Sequence, residues 1–214
     1  MANTSMGQAP VVAKNAPTET ESMNSNIEKI KKSFNLGLVS CLICSYHNLA
    51  RKTLFVNQLT HALDEDGFIS AYFNFSGIQD STKTFIEFLG SLLNHQLFNS
   101  PGAAGIPCLS GTVEFEKLPM VDWGILEILS TLGCQSIGRY KKLILILDNA
   151  QELQNSAEGL ALVAGLRTAL DRNKESVGAI FLGASRNRLS KMFNRPHAPF
   201  FHFGIWPDGF LHPI

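Results

Sequence analysis

The chain has 214 residues, 45% of them hydrophobic and 17% charged, and its 18 Lys and Arg balance its 18 Asp and Glu at net charge zero. That size and apolar content suffice for one α/β domain with a real core and exclude a chain solvated throughout. Zero net charge leaves no global basic field for nucleic acid, and no apolar run reaches the roughly 18 residues of a membrane span.

Residues 1–25 are rich in Ser, Thr, Asn, Ala and Pro without apolar periodicity. They read as a disordered leader, with Met6 and Met23 as alternative starts. Residues 27–34 predict a short helix with Ile27, Ile30 and Phe34 on one side. A buried strand follows at 36–45, a polar turn at 46–51 and a helix at 52–63, with Leu54, Phe55, Leu59, Ala62 and Leu63 at helical spacing. Cys41 and Cys44 fall inside that strand. Three residues apart, they point to opposite faces, which rules out a shared metal or a disulfide.

Gly67 stops the helix, and residues 68–75 form an aromatic-rich strand. Ser81 or Thr82 caps a helix striped by Phe85, Phe88, Leu89, Leu92, Leu93 and Leu97. Residues 100–120, with six Gly and Pro, read as a long loop, and 121–137 as a helix. Then come a strand at 143–147, a helix at about 158–172, a strand at 177–182, a short helix at 187–193 and a last strand at 200–205. This alternation predicts a three-layer α/β fold, with a mostly parallel sheet of about five strands and helices on both faces.

The run Leu143-Ile144-Leu145-Ile146-Leu147 is continuous apolar sequence ending in Asp148, followed by Asn149, Gln151 and Glu152. A doubly covered strand reads this way, and its C-terminal end is where ligands bind in open α/β sheets. The first strand leads through its turn to Lys52-Thr53 at a helix start. Counted back, the octet Tyr46-His47-Asn48-Leu49-Ala50-Arg51-Lys52-Thr53 meets the pattern G-x-x-x-x-G-K-[ST] at its last two positions. In that pattern backbone N–H groups and the Lys hold phosphate, and the hydroxyl binds Mg²⁺. Tyr46 and Arg51 stand where Gly is wanted. His47 and His61 read as a loop and a helix-face histidine, and Trp123 and Trp206 as packing residues.

The series Leu166-Arg167-Thr168-Ala169-Leu170, Ala179-Ile180-Phe181-Leu182-Gly183, Met192-Phe193 and Pro199-Phe200-Phe201-His202-Phe203-Gly204 resembles bacterial AAA-type ATP-binding proteins. These are AAA+/STAND-like P-loop ATPases related to archaeal-type ATPases, and the likeness covers about residues 36–214. It implies a P-loop NTPase-like core at 26–214 lacking the helical lid. It makes Lys52 and Thr53 the Walker A pair, Asp148 the Walker B acid and Ser185 the sensor-1 residue. Tyr46, His47, Asn48, Ala50, Arg51, Lys52 and Thr53 would surround ATP, and Thr53 and Asp148 would hold Mg²⁺.

Two departures set the expected function. Arg51 crowds the space a Gly leaves for phosphate, either swinging outward or folding onto Asp148. Asn149 stands where the family has Glu, and an amide cannot act as a base. The expectation is weak or absent ATP and Mg²⁺ binding with hydrolysis lost, in a cytoplasmic regulatory or adaptor protein. The alternative is a nucleotide-independent pseudo-ATPase scaffold. A protein partner or self-association is expected, and nucleic acid and membrane are not. The strand ending at Ser45 should lie between those ending at Asp148 and Ser185, or beside the latter.

Overall fold

Five aliphatic residues in a row leave no polar face, so their strand must be covered on both sides. The computed structural model describes residues 19–37, 41–45, 49–94, 124–136 and 142–205. In chain order it contains α1 (Glu19–Asn35), β1 (Cys41–Ser45), α2 (Leu49–Glu65), β2 (Ile69–Asn74), α3 (Ser81–Asn94) and α4 (Ile125–Ser136). Then follow β3 (Leu143–Asp148), a 3-10 helix (Ala150–Asn155), α5 (Ala157–Arg172), β4 (Val177–Gly183) and α6 (Arg186–Phe193).

The four strands pair in parallel in the order β1-β4-β3-β2. The strand ending at Ser45 thus lies beside β4, which separates it from the strand of Asp148. This is the second of the two orders expected. In register, Ser45 stands opposite Gly183, Leu182 opposite Asp148, and Asp148 opposite Asn74. Four strand ends therefore meet at one sheet edge.

Each face has its own core. Met23, Ile27, Ile30 and Phe34 of α1 join Phe55, Val56, Leu59 and Leu63 of α2 over Cys44, Ile144, Ile146, Ile180 and Leu182. The alternate strand residues Leu143, Leu145, Leu147, Ala179 and Phe181 face α3, α4, α5 and α6. The three-layer reading holds.

Several boundaries differ from expectation. The first helix begins at Glu19, inside the stretch read as a leader, because Met23 adds a buried apolar position one turn before Ile27. Residues 1–18 and the loop at 100–120 lie outside the described residues. Of the strand expected at 36–45, Cys41–Ser45 is strand, Leu36 and Gly37 are a turn closing the first helix, and residues 38–40 lie outside the described residues. The second helix starts at Leu49 and takes in Ala50 and Arg51, where the sequence predicts turn. Leu, Ala and Arg are strong helix formers, whereas Gly at the Arg51 position would disfavour helix. At α3 the capping group is Asp80, whose Oδ1 accepts the Lys83 N–H at 2.9 Å, in place of Ser81 or Thr82.

The expected strand at 200–205 is replaced by turns. Phe201 N–H donates to Ala198 O, Phe203 N–H to Phe200 O, and His202 is left-handed at φ 56°. The Arg167 guanidinium donates to the Pro199 and Phe201 carbonyls, and Phe200 packs between Phe181 and Phe193. These anchors favour a compact coil over an extended strand. What remains of a fifth strand is Ile205, whose carbonyl accepts the Ile43 N–H at 3.0 Å on the outer edge of β1.

Candidate functional site

Alternation along β3 sends Leu143, Leu145 and Leu147 to one face and Asp148, with Ile144 and Ile146, to the face covered by α2. Asp148 has no solvent exposure and is the one buried acid among the described residues. A buried carboxylate must be paired and hydrogen-bonded. Lys52, in the first turn of α2, places Nζ 2.6 Å from Asp148 Oδ2, with its own side chain 7% exposed. Tyr72 Oη donates to the same oxygen at 2.6 Å. The two residues singled out from opposite ends of the sequence thus meet, 96 positions apart.

The cation seated on Asp148 in this way is Lys52, whereas the sequence offered Arg51 as one candidate for that place. Arg51 is half-buried and Thr53 is exposed, both within α2. Ala50 belongs to the same helix, and Tyr46, His47 and Asn48 lie outside the described residues.

Beyond Asp148 an amide chain crosses the sheet edge. The Ser76 N–H donates to Asn74 Oδ1 at 2.9 Å, and Asn149 Nδ2 donates to the same oxygen at 3.0 Å. Gln151 Nε2 then donates to Asn149 Oδ1 at 3.3 Å. A backbone N–H can only donate, so the order of donors and acceptors along the chain is fixed. It ends on Gln151 Oε1, which is buried without a partner. Gly183 makes room for that oxygen, since a Cβ there would lie 2.5 Å from it. Asn149 adopts φ 53° and ψ 32°, a left-handed conformation that Asn tolerates better than other side chains with a Cβ.

The remaining candidates hold structure together. Ser185 caps α6, its Oγ accepting the Arg188 N–H at 3.3 Å. Glu152 pairs with Arg188 at 3.0 Å and accepts from Asn155 Nδ2 at 2.8 Å. Cys44 is buried, and desolvation pushes its thiol well above the usual range.

Among the described residues no three His, Cys, Asp or Glu side chains cluster as a metal cage. A single buried carboxylate, Asp148, is a sparse set that fits Mg²⁺ arriving with phosphate oxygens, and does not fit a resident metal. Lys52 sits on the oxygen such a cation would use, so the two compete unless phosphate draws the ammonium away.

Sequence reasoning missed Tyr72 and Asn74. A signal was present: in β2, Ser70, Tyr72 and Asn74 alternate with Ile69, Ala71 and Phe73, so the polar set shares one face. Tyr72 is long enough to reach the strand end, where Asn74 pairs in register with Asp148.

No protein-family model matches the sequence, and no match is found among curated proteins. Among solved structures, the chain is similar to the Walker-type ATPase PABY2304 of Pyrococcus abyssi, with a TM-score of 0.59 at 14% sequence identity. The match covers 86% of this chain and 52% of that protein, so the chain spans about half its length. The likeness shows the fold alone: a three-layer α/β architecture of the P-loop NTPase-like kind. No helix among the described residues is long and apolar enough to cross a membrane.

Proposed function

We propose that the chain is an AAA+/STAND-like P-loop protein that binds ATP with Mg²⁺ weakly and has lost efficient hydrolysis. It acts in the cytoplasm as a regulatory or adaptor component for a protein partner or a second copy of itself. The observation that carries this reading is the buried Lys52–Asp148 pair at 2.6 Å. A phosphate-binding lysine and a metal-binding acid neutralise each other, so nucleotide must break a desolvated ion pair before it gains its own contacts. When bound, Mg²⁺ would supply Lewis-acid charge stabilisation at the phosphates. Lys52 would hold phosphate, and Asp148 and Thr53 would orient the cation.

The rest of the edge supports the loss of turnover. Asn149 cannot accept a proton, and both ends of its amide are engaged. Glu152, the nearest acid downstream, is paired with Arg188.

Isothermal titration with ATP and Mg²⁺ is expected to give a Kd of roughly 0.1–1 mM, abolished in Lys52→Ala. Arg51→Gly should tighten it, and adding Asn149→Asp should bring measurable turnover. Aspartate suits that position better than glutamate because it tolerates the left-handed backbone. Micromolar binding by the wild type, with no gain from Arg51→Gly, would defeat the proposal. The scaffold reading is favoured by one feature of the pair: both buried charges are satisfied with no ligand at all. It prevails if neither heat nor a shift in Tm appears at millimolar nucleotide.

A further inference from the structure

We propose that Tyr72 is a positioning residue of this site: it keeps the Asp148 carboxylate oriented when Lys52 leaves it for phosphate. The proposal rests on the nucleotide-binding reading above. Tyr72 Oη and Lys52 Nζ both lie 2.6 Å from the same atom, Asp148 Oδ2. A carboxylate oxygen offers two lone-pair positions, and these two groups take both. When phosphate draws the ammonium away, one position opens for a divalent cation. The other stays engaged by the phenol.

The two donors differ in charge, and that difference assigns their roles. An ammonium and an incoming cation repel, so Lys52 must depart. A neutral hydroxyl carries no such penalty and remains beside the cation, as outer groups that orient metal ligands do. Without Tyr72 the departure of Lys52 would strip both of these donors from Oδ2 of a carboxylate with no solvent exposure, at the moment it must coordinate.

The fold fixes the phenol in place. Tyr72 pairs in register with Ile146, two residues before Asp148, so its side chain runs along the sheet to reach the strand end. Its ring packs against the core beneath α2. A shorter hydroxyl side chain at this position would not span that distance.

Tyr72→Phe removes one oxygen and keeps the ring. Nucleotide affinity is measured for wild type and variant, once with Mg²⁺ and once in EDTA. The variant is expected to lose about tenfold in affinity with Mg²⁺, the size of one hydrogen bond to a charged group, and to match the wild type in EDTA. An equal loss in both conditions would mark a merely structural role and overturn the proposal. Unchanged affinity in both, or tighter binding with Mg²⁺, would also overturn it. If the wild type itself binds no nucleotide in either condition, the nucleotide reading fails and takes the role of Tyr72 with it. A second measurement uses the unmutated protein with ¹³C at the tyrosine Cζ. The Tyr72 resonance should keep its hydrogen-bonded position on loading with Mg²⁺ and ADP, and its loss on loading would show that the phenol leaves with Lys52.

Discussion

A carboxylate with no exposure survives in a folded protein only if its charge is matched, and Asp148 is matched by Lys52 and Tyr72 at one oxygen. Such a pair adds less stability than its distance suggests, because both ions have been taken out of water. Removing one partner is the costly change. Asp148→Ala should lower unfolding stability in urea by about 3–5 kcal/mol, because it removes the carboxylate that faces the buried Lys52 ammonium. The apolar double variant Lys52→Met with Asp148→Leu should recover most of that loss. A single-variant loss near zero would mean that Lys52 escapes to solvent. Lys52-Thr53 at a helix start after a strand, and Asp148 at the end of an aliphatic run, were enough to nominate both. Their direct contact was not legible, because it depends on where α2 begins, and Arg51 was an equally placed cation. Tyr72 was hidden for a different reason. In a strand rich in Phe its ring reads as core, and its polar tip acquires a role only through a neighbour 76 positions away.

At the scale of elements, the sequence showed type and order well and ends poorly. The long apolar stripes of α3 and α5 stood out from periodicity, and β3 from its aliphatic run. Helix starts depend on single caps and on close backbone approaches, which periodicity does not register. The start of α5 shows this. Ser156 Oγ accepts the Gly159 N–H at 2.9 Å, and a Cβ on Gly159 would stand 2.2 Å from the Leu153 carbonyl oxygen. Alanine normally improves a helix over glycine. Here Gly159→Ala should destabilise the protein by about 1–3 kcal/mol, since the clash is with backbone that cannot rotate away. Ser156→Ala should cost about 1 kcal/mol through the lost cap. Thermal melts of the two variants check both, and a stabilising Gly159→Ala would show that the 3-10 helix before α5 yields easily. The failed strand at 200–205 has the same cause as the misplaced ends. Alternation of Phe201, Phe203 and Ile205 was real in the sequence, but Arg167 captures two carbonyls of the segment, and nothing local announces that contact.

Across the whole molecule, the sheet edge that carries Asp148 and the opposite edge have different chemistry. At the opposite edge Lys142 precedes β3, buried, its Nζ donating to the Lys174 carbonyl and lying 5.9 Å from the centre of the Phe34 ring. It ties α1 to the turn before β4, a link that two adjacent lysines in the sequence do not announce. Burial holds the Lys142 pKa below its ordinary value, and nearby Glu175 opposes the shift without reversing it. Cys44, buried between α2 and the sheet, is shifted upward by desolvation. The two groups act on stability with opposite signs. Between the lowered Lys142 value and the ordinary lysine range, the unfolded chain holds the extra proton, so the Lys142 contribution rises with pH. Above the ordinary thiol range the unfolded chain releases the Cys44 proton first, so that contribution falls with pH. Total stability therefore conceals both slopes, and paired variants separate them. The stability advantage of Lys142→Met over wild type should shrink as pH rises from about 7 to about 10, because the wild type sheds the charge it has buried. The alkaline loss of stability should be smaller in Cys44→Ala than in wild type over the same range. Urea unfolding at each pH reads both differences. A Lys142→Met advantage that stays constant would mean that its ammonium, held by the Lys174 carbonyl, titrates as it does in the unfolded chain.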